Sequence, residues 1–296
     1  MVSDRFHLDL PGMKIAYLIV LLSMSCSTSN NEEDVYTESF DKSNRPYFTY
    51  DKERNQFLLE PWNYNLPRNG TRKYPLIVYL HGSGGAGDIS YLNHLGYDSQ
   101  DNNDDETAIS FQKNHPCFVL IPQTNSEWDN NVLIEQVEYI KKNYRIDDSI
   151  IYLIGYSMGG SGSYSFANAY YDYNGHIFAG IIRLVGQSQT TVRNEISDKT
   201  SIWLHVGLDD TDLRIQVTRE AYNNLKNYHS GAVEKVSSLS IPGYTGTTHT
   251  LEINGNDRFR LTEYENVGHN IVNIPFRDKN VMEWLFKHKL TVAIGF

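Results

Sequence analysis

A serine, an acid and a histidine in this chain each stand just beyond a strand-like segment, in an order that suits nucleophilic chemistry. Residues 155–159 read Gly155-Tyr156-Ser157-Met158-Gly159 and follow the apolar run Ile150-Ile151-Tyr152-Leu153-Ile154. A G-x-S-x-G pentapeptide at the end of a buried strand marks a sharp strand-to-helix turn that presents a serine hydroxyl. The glycines two positions either side leave room for that turn. The acidic pair Asp209-Asp210 follows the apolar run Ile202 to Val206, and His269 follows the alternating segment Arg258 to Glu265. A serine hydroxyl is a weak nucleophile at neutral pH. A neutral imidazole can take its proton, and a carboxylate on the far ring nitrogen fixes the tautomer and stabilises the imidazolium.

Attack on a carbonyl also needs donors for the oxygen that becomes negative. Pro75 to Leu80 is a continuous apolar run that leads into His81-Gly82-Ser83-Gly84-Gly85. A glycine loop at such a strand end lets backbone N–H groups reach a ligand. The Ser83 N–H is one expected oxyanion donor. The Met158 N–H is the other, at the positive end of the helix that follows Ser157. Residues 82–87 also fit G-x-G-x-x-G. A dinucleotide site would need a helix directly after it and an acid ending the next strand. Asp88 onward is polar and irregular, and the next strand ends Ile121-Pro122-Gln123. The triad and the loop call for no cofactor. The cluster Asp209, Asp210 and Asp212 does not continue into an oxygen-ligand loop, so no metal site is expected.

The elements that must position these residues alternate along the chain. Continuous apolar runs at 75–80 and 117–121 read as strands buried on both faces, and 150–154, 202–206 and 178–185, the last carrying one charge at Arg183, read as further strands. Leu133, Val137, Ile140 and Tyr144 share one helical face, as do Leu213, Val217, Ala221, Leu225 and Tyr228. A helical stretch is expected over 163–170 and a last helix over 281–290. Alternating strand and helix imply an α/β fold, with a mostly parallel sheet and helices on both faces. In such sheets ligands bind beyond the carboxyl ends of the strands, which is where Ser157, Asp210 and His269 fall.

Bulk properties describe an ordinary soluble globule. With 40% hydrophobic and 21% charged residues among 296, the chain suits one large domain with a sizeable core. A net charge of −10, with no basic cluster, argues against a nucleic-acid partner. The 21 tyrosines are read first as packing groups. His94 and His176 are read as ordinary surface residues. Two cysteines cannot make a disulfide framework. Cys117 reads as a buried strand residue. Cys26 follows Met13-Lys14, the apolar stretch Ile15 to Leu22 and Ser23-Met24-Ser25. This is the pattern of a secretory signal, too short to span a bilayer as a mature helix.

Ser25-Cys26 resembles a bacterial lipoprotein cleavage site, and the polar, acidic stretch 27–34 resembles the export tether of surface lipoproteins. The domain organisation expected is therefore a signal over 1–25, a tether over 26–45 and a catalytic domain over 46–296. Cys26 would be lipidated and would hold the protein to the outer membrane in the cell envelope, facing the periplasm or the surface. Ser23 departs from the aliphatic residue usual there, which keeps ordinary signal cleavage open.

The segments "YPLIVYLHGSGG" (74–85), "IPQTNSEW" (121–128), "IYLIGYSMGGSGSY" (151–164), "WLHVGLDD" (203–210) and "YENVGHN" (264–270) resemble bacterial esterases of the α/β-hydrolase superfamily. They are most like feruloyl/acetyl-xylan and polyhydroxybutyrate-depolymerase-like esterases. The resemblance spans about residues 46–296. It implies a serine carboxylesterase with Ser157 as nucleophile and His269 as base. Its acid lies in a G-x-x-D motif, matched by Gly207-Leu208-Asp209-Asp210 at Asp210. Two departures follow: Thr211-Asp212-Leu213 replaces the usual Val-Pro after the acid, and His205-Val206-Gly207 displaces the usual His-Gly. Asp209 and Asp212 thus remain alternatives. Trp128 and Tyr156 are the implied substrate-contacting residues, and the implied substrate is a small ester or an acylated polysaccharide. Specificity would lie in loop 86–113, the Trp128 loop and segment 229–257, read as a hairpin insertion near the site. A serine peptidase of the prolyl-oligopeptidase-like group shares the topology but usually carries a large propeller. A dead, carbohydrate-binding hydrolase would not need all three triad residue types.

Overall fold

The computed structural model describes residues 48–61, 64, 70–85, 114–239 and 241–290, all within one compact unit. The segments expected as signal (1–25) and tether (26–45), with Cys26, and also His94 and loop 86–113, lie outside the described residues. Among the described residues no helix is long and apolar enough to cross a membrane.

Among the described residues ten strands form one sheet. They are β1 (Phe48–Asp51), β2 (Gln56–Leu59), β3 (Tyr74–Leu80), β4 (Phe118–Pro122), β5 (Ile146–Tyr156), β6 (Gly180–Leu184), β7 (Ser201–Gly207), β8 (Val233–Ser238), β9 (Gly246–Ile253) and β10 (Asn256–Tyr264). Their spatial order is β1-β2-β4-β3-β5-β6-β7-β10-β9-β8. The strands from β4 across to β10 run parallel. The outer pairs on both sides run antiparallel. The apolar runs read from the sequence form the centre of this sheet, and their side chains are almost wholly buried. β4 lies on one side of β3 and β5 on the other, so the strand order reverses at β3. That reversal opens a crevice at the carboxyl ends of β3 and β5.

The helices are α1 (Asn130–Asn143), α2 (Met158–Asn174), the short α3 (Asn194–Ser197), α4 (Asp212–Tyr228) and α5 (Lys279–Lys287). Asp129 caps α1 by accepting the Asn131 N–H at 2.9 Å, and Lys141 and Lys142 lie at its negative end. Side chains alternate along a strand. On β6, Arg183 faces Tyr164 of α2, whereas Gly180, three residues away, faces Leu285 of α5. On β10, Glu263 pairs with Arg219 of α4, whereas Arg260 stacks near Trp203 and Trp284 of the α5 side. α5 therefore covers one face, and α2 and α4 cover the other.

Two expectations change. α2 starts at Met158, well before residue 163, because its glycine-rich first turns are held by packing against β3 and β5 rather than by propensity. His176 is not an ordinary surface residue. Its ring lies 4.5 Å from Tyr170 and 5.2 Å from Phe178, and burial pushes its pKa down to about 4.

Burial also depresses His205 to about 3 and His288 to about 4. All three are neutral when folded but take up a proton below about 6.5 when unfolded. The unfolded state then binds more protons, so stability falls as pH drops from about 6.5 toward 4. The thermal midpoint should be lower at pH 5 than at pH 7. A calorimetric scan of His176→Asn should show a smaller loss over that interval; an equal loss would remove His176 from the account.

Candidate active site

β5 ends at Tyr156, and α2 begins at Met158, so Ser157 alone makes the turn. Its backbone sits at φ 55°, ψ −112°, a region that L residues rarely adopt. The turn is held on both sides. The Ser157 N–H donates to Leu184 O of β6 at 2.9 Å, and Ser157 O accepts the Ser161 N–H at 3.1 Å. The flanking glycines are demanded by space. A Cβ on Gly155 would stand 2.1 Å from Gly159 O, and one on Gly159 would stand 2.0 Å from Leu80 O. At the pentapeptide, β5, α2 and the end of β3 therefore meet backbone to backbone.

β7 and β10 pair in parallel, with Gly207 opposite Tyr264, so the loops that follow them leave side by side. The loops are zipped together by Leu208 N–H to Tyr264 O at 2.8 Å and Asp209 N–H to Val267 O at 2.9 Å. This brings His269 between the acid and the serine. His269 Nδ1 lies 2.8 Å from Asp210 Oδ2, and Nε2 lies 2.9 Å from Ser157 Oγ. The Asp210 side chain is only 2% exposed. Its Oδ1 accepts the Thr211 N–H at 2.7 Å and Arg214 Nη1 at 3.1 Å. Burial alone would raise the Asp210 pKa. The hydrogen bonds from His269 and Thr211, with the charges of His269 and Arg214, outweigh it and hold the carboxyl below its ordinary range. Asp209 faces the other loop through its backbone, and Asp212 begins α4. Of the three acids, Asp210 is the one bonded to His269.

Met158 is the first residue of α2, so its N–H has no partner within the helix. Ser83 lies beside it: Ser83 Oγ is 3.7 Å from Met158 Sδ, in a turn closed by Gly85 N–H to Gly82 O at 3.3 Å. The loop carrying Ser83 is braced from below. His81 is fully buried, its Nδ1 is 2.7 Å from Gly82 O, and its Nε2 accepts the Thr124 N–H at 3.3 Å. Burial lowers the His81 pKa, which keeps the ring neutral and suited to donate through Nδ1 and accept at Nε2. Removing this brace in His81→Ala should cost up to the value of one oxyanion donor, about 10²-fold or more in kcat, with KM little changed. Steady-state kinetics on a p-nitrophenyl ester would show it.

Trp128 packs 4.7 Å from the His81 ring and closes on α2, where a Cβ on Gly162 would stand 2.6 Å from its ring. Tyr156 stacks on His269 at 5.4 Å and donates its hydroxyl to His269 O at 3.3 Å. These contacts place both aromatic rings against the machinery. The hairpin expected over 229–257 forms as β8 and β9. It widens the sheet, and its turn reaches the carboxyl end of β10, where the Glu265 N–H donates to Thr245 O at 2.9 Å. The sequence shows Arg183 only as a charge within a strand and gives no role to Arg214 or Gln187. The i, i+4 spacing of Asp210 and Arg214 across a helix start was the one signal for Arg214.

A parallel sheet with its strand order reversed at β3, a serine elbow after β5, an acid after β7 and a histidine after the last parallel strand define the α/β-hydrolase fold. Solved structures share it. A thermostable esterase aligns at 23% identity and a TM-score of 0.55, over 82% of this chain and 62% of that one. A ferulic acid esterase aligns at 15% and 0.51, over 81% and 97%. The acetyl xylan esterase from Aspergillus awamori aligns at 15% and 0.50, over 80% and 98%. The chain thus spans less than two thirds of the thermostable esterase but nearly all of the other two. No family model and no curated protein matches the chain.

Proposed function

We propose that the protein is a serine carboxylesterase. One observation carries the reading: the unbroken hydrogen-bond chain Ser157–His269–Asp210 on a strained elbow. Ser157 Oγ attacks the ester carbonyl as its proton passes to His269 Nε2. The carbonyl oxygen gains the negative charge and is met by the Met158 and Ser83 N–H groups. The alcohol leaves with the proton from His269, and the acyl group stays on Ser157 Oγ. A water then gives its proton to His269 and its oxygen to the acyl carbon, and Ser157 is released. Asp210 holds the imidazole with Nδ1 protonated, so that Nε2 is free to accept.

The likeness in fold to a ferulic acid esterase and an acetyl xylan esterase supports acetyl or feruloyl groups on plant polysaccharide as the substrate class. The test is a panel of p-nitrophenyl acyl esters, methyl ferulate and acetylated xylan, with Ser157→Ala as control. Hydrolysis that disappears in the control supports the reading. No hydrolysis by the wild type, together with no labelling of Ser157 by a fluorophosphonate, overturns it. We further propose that Cys26 anchors the protein to the outer membrane, a reading drawn from the sequence alone. Cys26→Ala should move the protein from the membrane fraction to the soluble one; unchanged fractionation would refute anchoring.

A further inference from the structure

The hydrogen bonds around the triad continue past Asp210. Arg214, in the first turn of α4, donates through Nη1 to Asp210 Oδ1 at 3.1 Å and through Nη2 to Gln187 Oε1 at 3.1 Å. Gln187 lies in the loop after β6. The backbone of that loop is pinned to the first turn of α2, because Ser161 Oγ accepts the N–H groups of Gln187 at 3.0 Å and Ser188 at 3.2 Å. Ser161 in turn hydrogen-bonds back to Ser157 O. A path of direct contacts therefore runs from the acid, through Arg214 and the 185–189 loop, to the helix that carries the nucleophile.

The loop is built at a cost. Val185 is β-branched yet sits at φ 44°, and Gln189 sits at φ 63°. Strain of this kind persists only where surroundings over-determine it, and it gathers at functional sites. The over-determining group is Arg183. Its guanidinium is fully buried, a place where a charge is expensive unless its donors are used. It donates to Gln189 O, and to Ser188 O at 2.5 Å, and it stacks 4.4 Å over the Tyr164 ring of α2. Gly186 packs so closely that a Cβ there would stand 2.6 Å from the Arg183 Nε and Nη2. Both of these hydrogen bonds, from Nη1 and Nη2, go to main chain of this one loop. A buried Arg spent on two carbonyls of a strained loop is best explained by what the loop holds, which is Gln187.

We propose that Arg214 is a positioning residue for the hydrolytic reaction: it fixes the Asp210 carboxylate relative to the nucleophile's helix, with Gln187 as its second support and Arg183 as the buried anchor of that support. The Thr211 N–H holds one side of Oδ1 through the chain next to it and would swing with the turn. Arg214 ties the same oxygen to a different part of the fold, so the carboxylate cannot rotate away from His269 without breaking that tie. The geometry makes a pattern of effects, since Gln187 acts on Asp210 only through Arg214.

This inference rests on the esterase reading for its kinetic arm and not for its spectroscopic one. Arg214→Met should lower kcat on a p-nitrophenyl ester by about tenfold or more, the scale of losing an outer support of a reactive group, with KM within about threefold. Arg214→Lys, which can reach Asp210 but not both partners, should recover part of that loss. Gln187→Ala should lower kcat by a smaller factor, and it should lower it no further in the Arg214→Met background, the non-additivity expected of groups acting in series. The second arm reads the downfield proton resonance of His269 Nδ1–H in the Ser157→Ala protein, where no turnover is needed. That resonance should broaden or vanish with Arg214→Met and return in part with Arg214→Lys. An unchanged kcat and an unchanged resonance in Arg214→Met would overturn the proposal, as would a full Gln187→Ala effect in the Arg214→Met background. A wild type that hydrolyses no ester, but whose His269 resonance still depends on Arg214, would refute the esterase reading and leave the positioning role supported.

Discussion

Ser157→Ala is expected to lower kcat on a p-nitrophenyl ester by about 10⁶-fold, the scale set by removing the nucleophile of a serine hydrolase. What remains should still exceed the rate in water, because the substitution leaves the proposed oxyanion donors, the Met158 and Ser83 N–H groups, untouched. Labelling by a fluorophosphonate should be abolished. The variant should fold, since Ser157 Oγ has His269 Nε2 as its partner and the main-chain bonds of the elbow do not involve the side chain. A companion substitution separates chemistry from strain. Alanine keeps a Cβ at φ 55°, ψ −112°, so Ser157→Ala should retain the strain of the elbow. Glycine relieves it, and Ser157→Gly should be more stable than Ser157→Ala by about 1–3 kcal/mol, less the entropy that glycine loses on folding. Urea denaturation of the pair measures this. Equal stabilities would mean that the elbow is not strained, and a surviving kcat in Ser157→Ala would move the nucleophile elsewhere.

The sequence made the parallel core legible because strands buried on both faces must be almost continuously apolar, and β3, β4, residues 150–154 of β5 and residues 202–206 of β7 are, His205 apart. The vertices of the site were legible for a related reason: Ser157 and Asp210 lie just beyond such strands and His269 just beyond the alternating strand β10, where the fold leaves room for polar groups. The start of α2 was not legible. Met158 to Ser163 holds three glycines and two serines, which read as loop, and only contact with β3 and β5 makes the segment helical. β8 and β9 were seen only as an irregular hairpin, since an edge strand such as Val233–Ser238, with mostly exposed side chains, carries no core pattern. Arg183 stood out as a charge in an apolar run. Its use of two loop carbonyls depends on where the chain turns after β6, and no local spacing encodes that. For Tyr156, expected as a substrate contact from the resemblance, the ring stacks on His269, a neighbour that no local spacing encodes.

Asp210→Asn tests the acid and is expected to lower kcat by about 10⁴-fold near neutral pH, with the triad atoms still in place. The reason lies in which oxygen holds which donor. Oδ1 receives two donors, the Thr211 N–H and Arg214, while Oδ2 receives one, from His269. An asparagine has one acceptor oxygen and one donating NH₂. If its NH₂ took the Oδ1 site, it would face two donors at once and leave both unsatisfied in a buried place, at about 1–3 kcal/mol for a neutral group and more for the charged one. The oxygen therefore takes the Oδ1 site, and the NH₂ points at His269 Nδ1. That nitrogen must then accept, which puts the ring proton on Nε2, facing Ser157 Oγ. The ring in that tautomer cannot take the serine proton, so the base is present but blocked. Asp209→Asn and Asp212→Asn lack these contacts and should stay within about twofold of wild type, the range of an ordinary surface change. Steady-state kinetics of the three variants, compared at pH 7, decide the matter. A loss of the larger size in Asp209→Asn or Asp212→Asn, with Asp210→Asn near wild type, would reassign the acid.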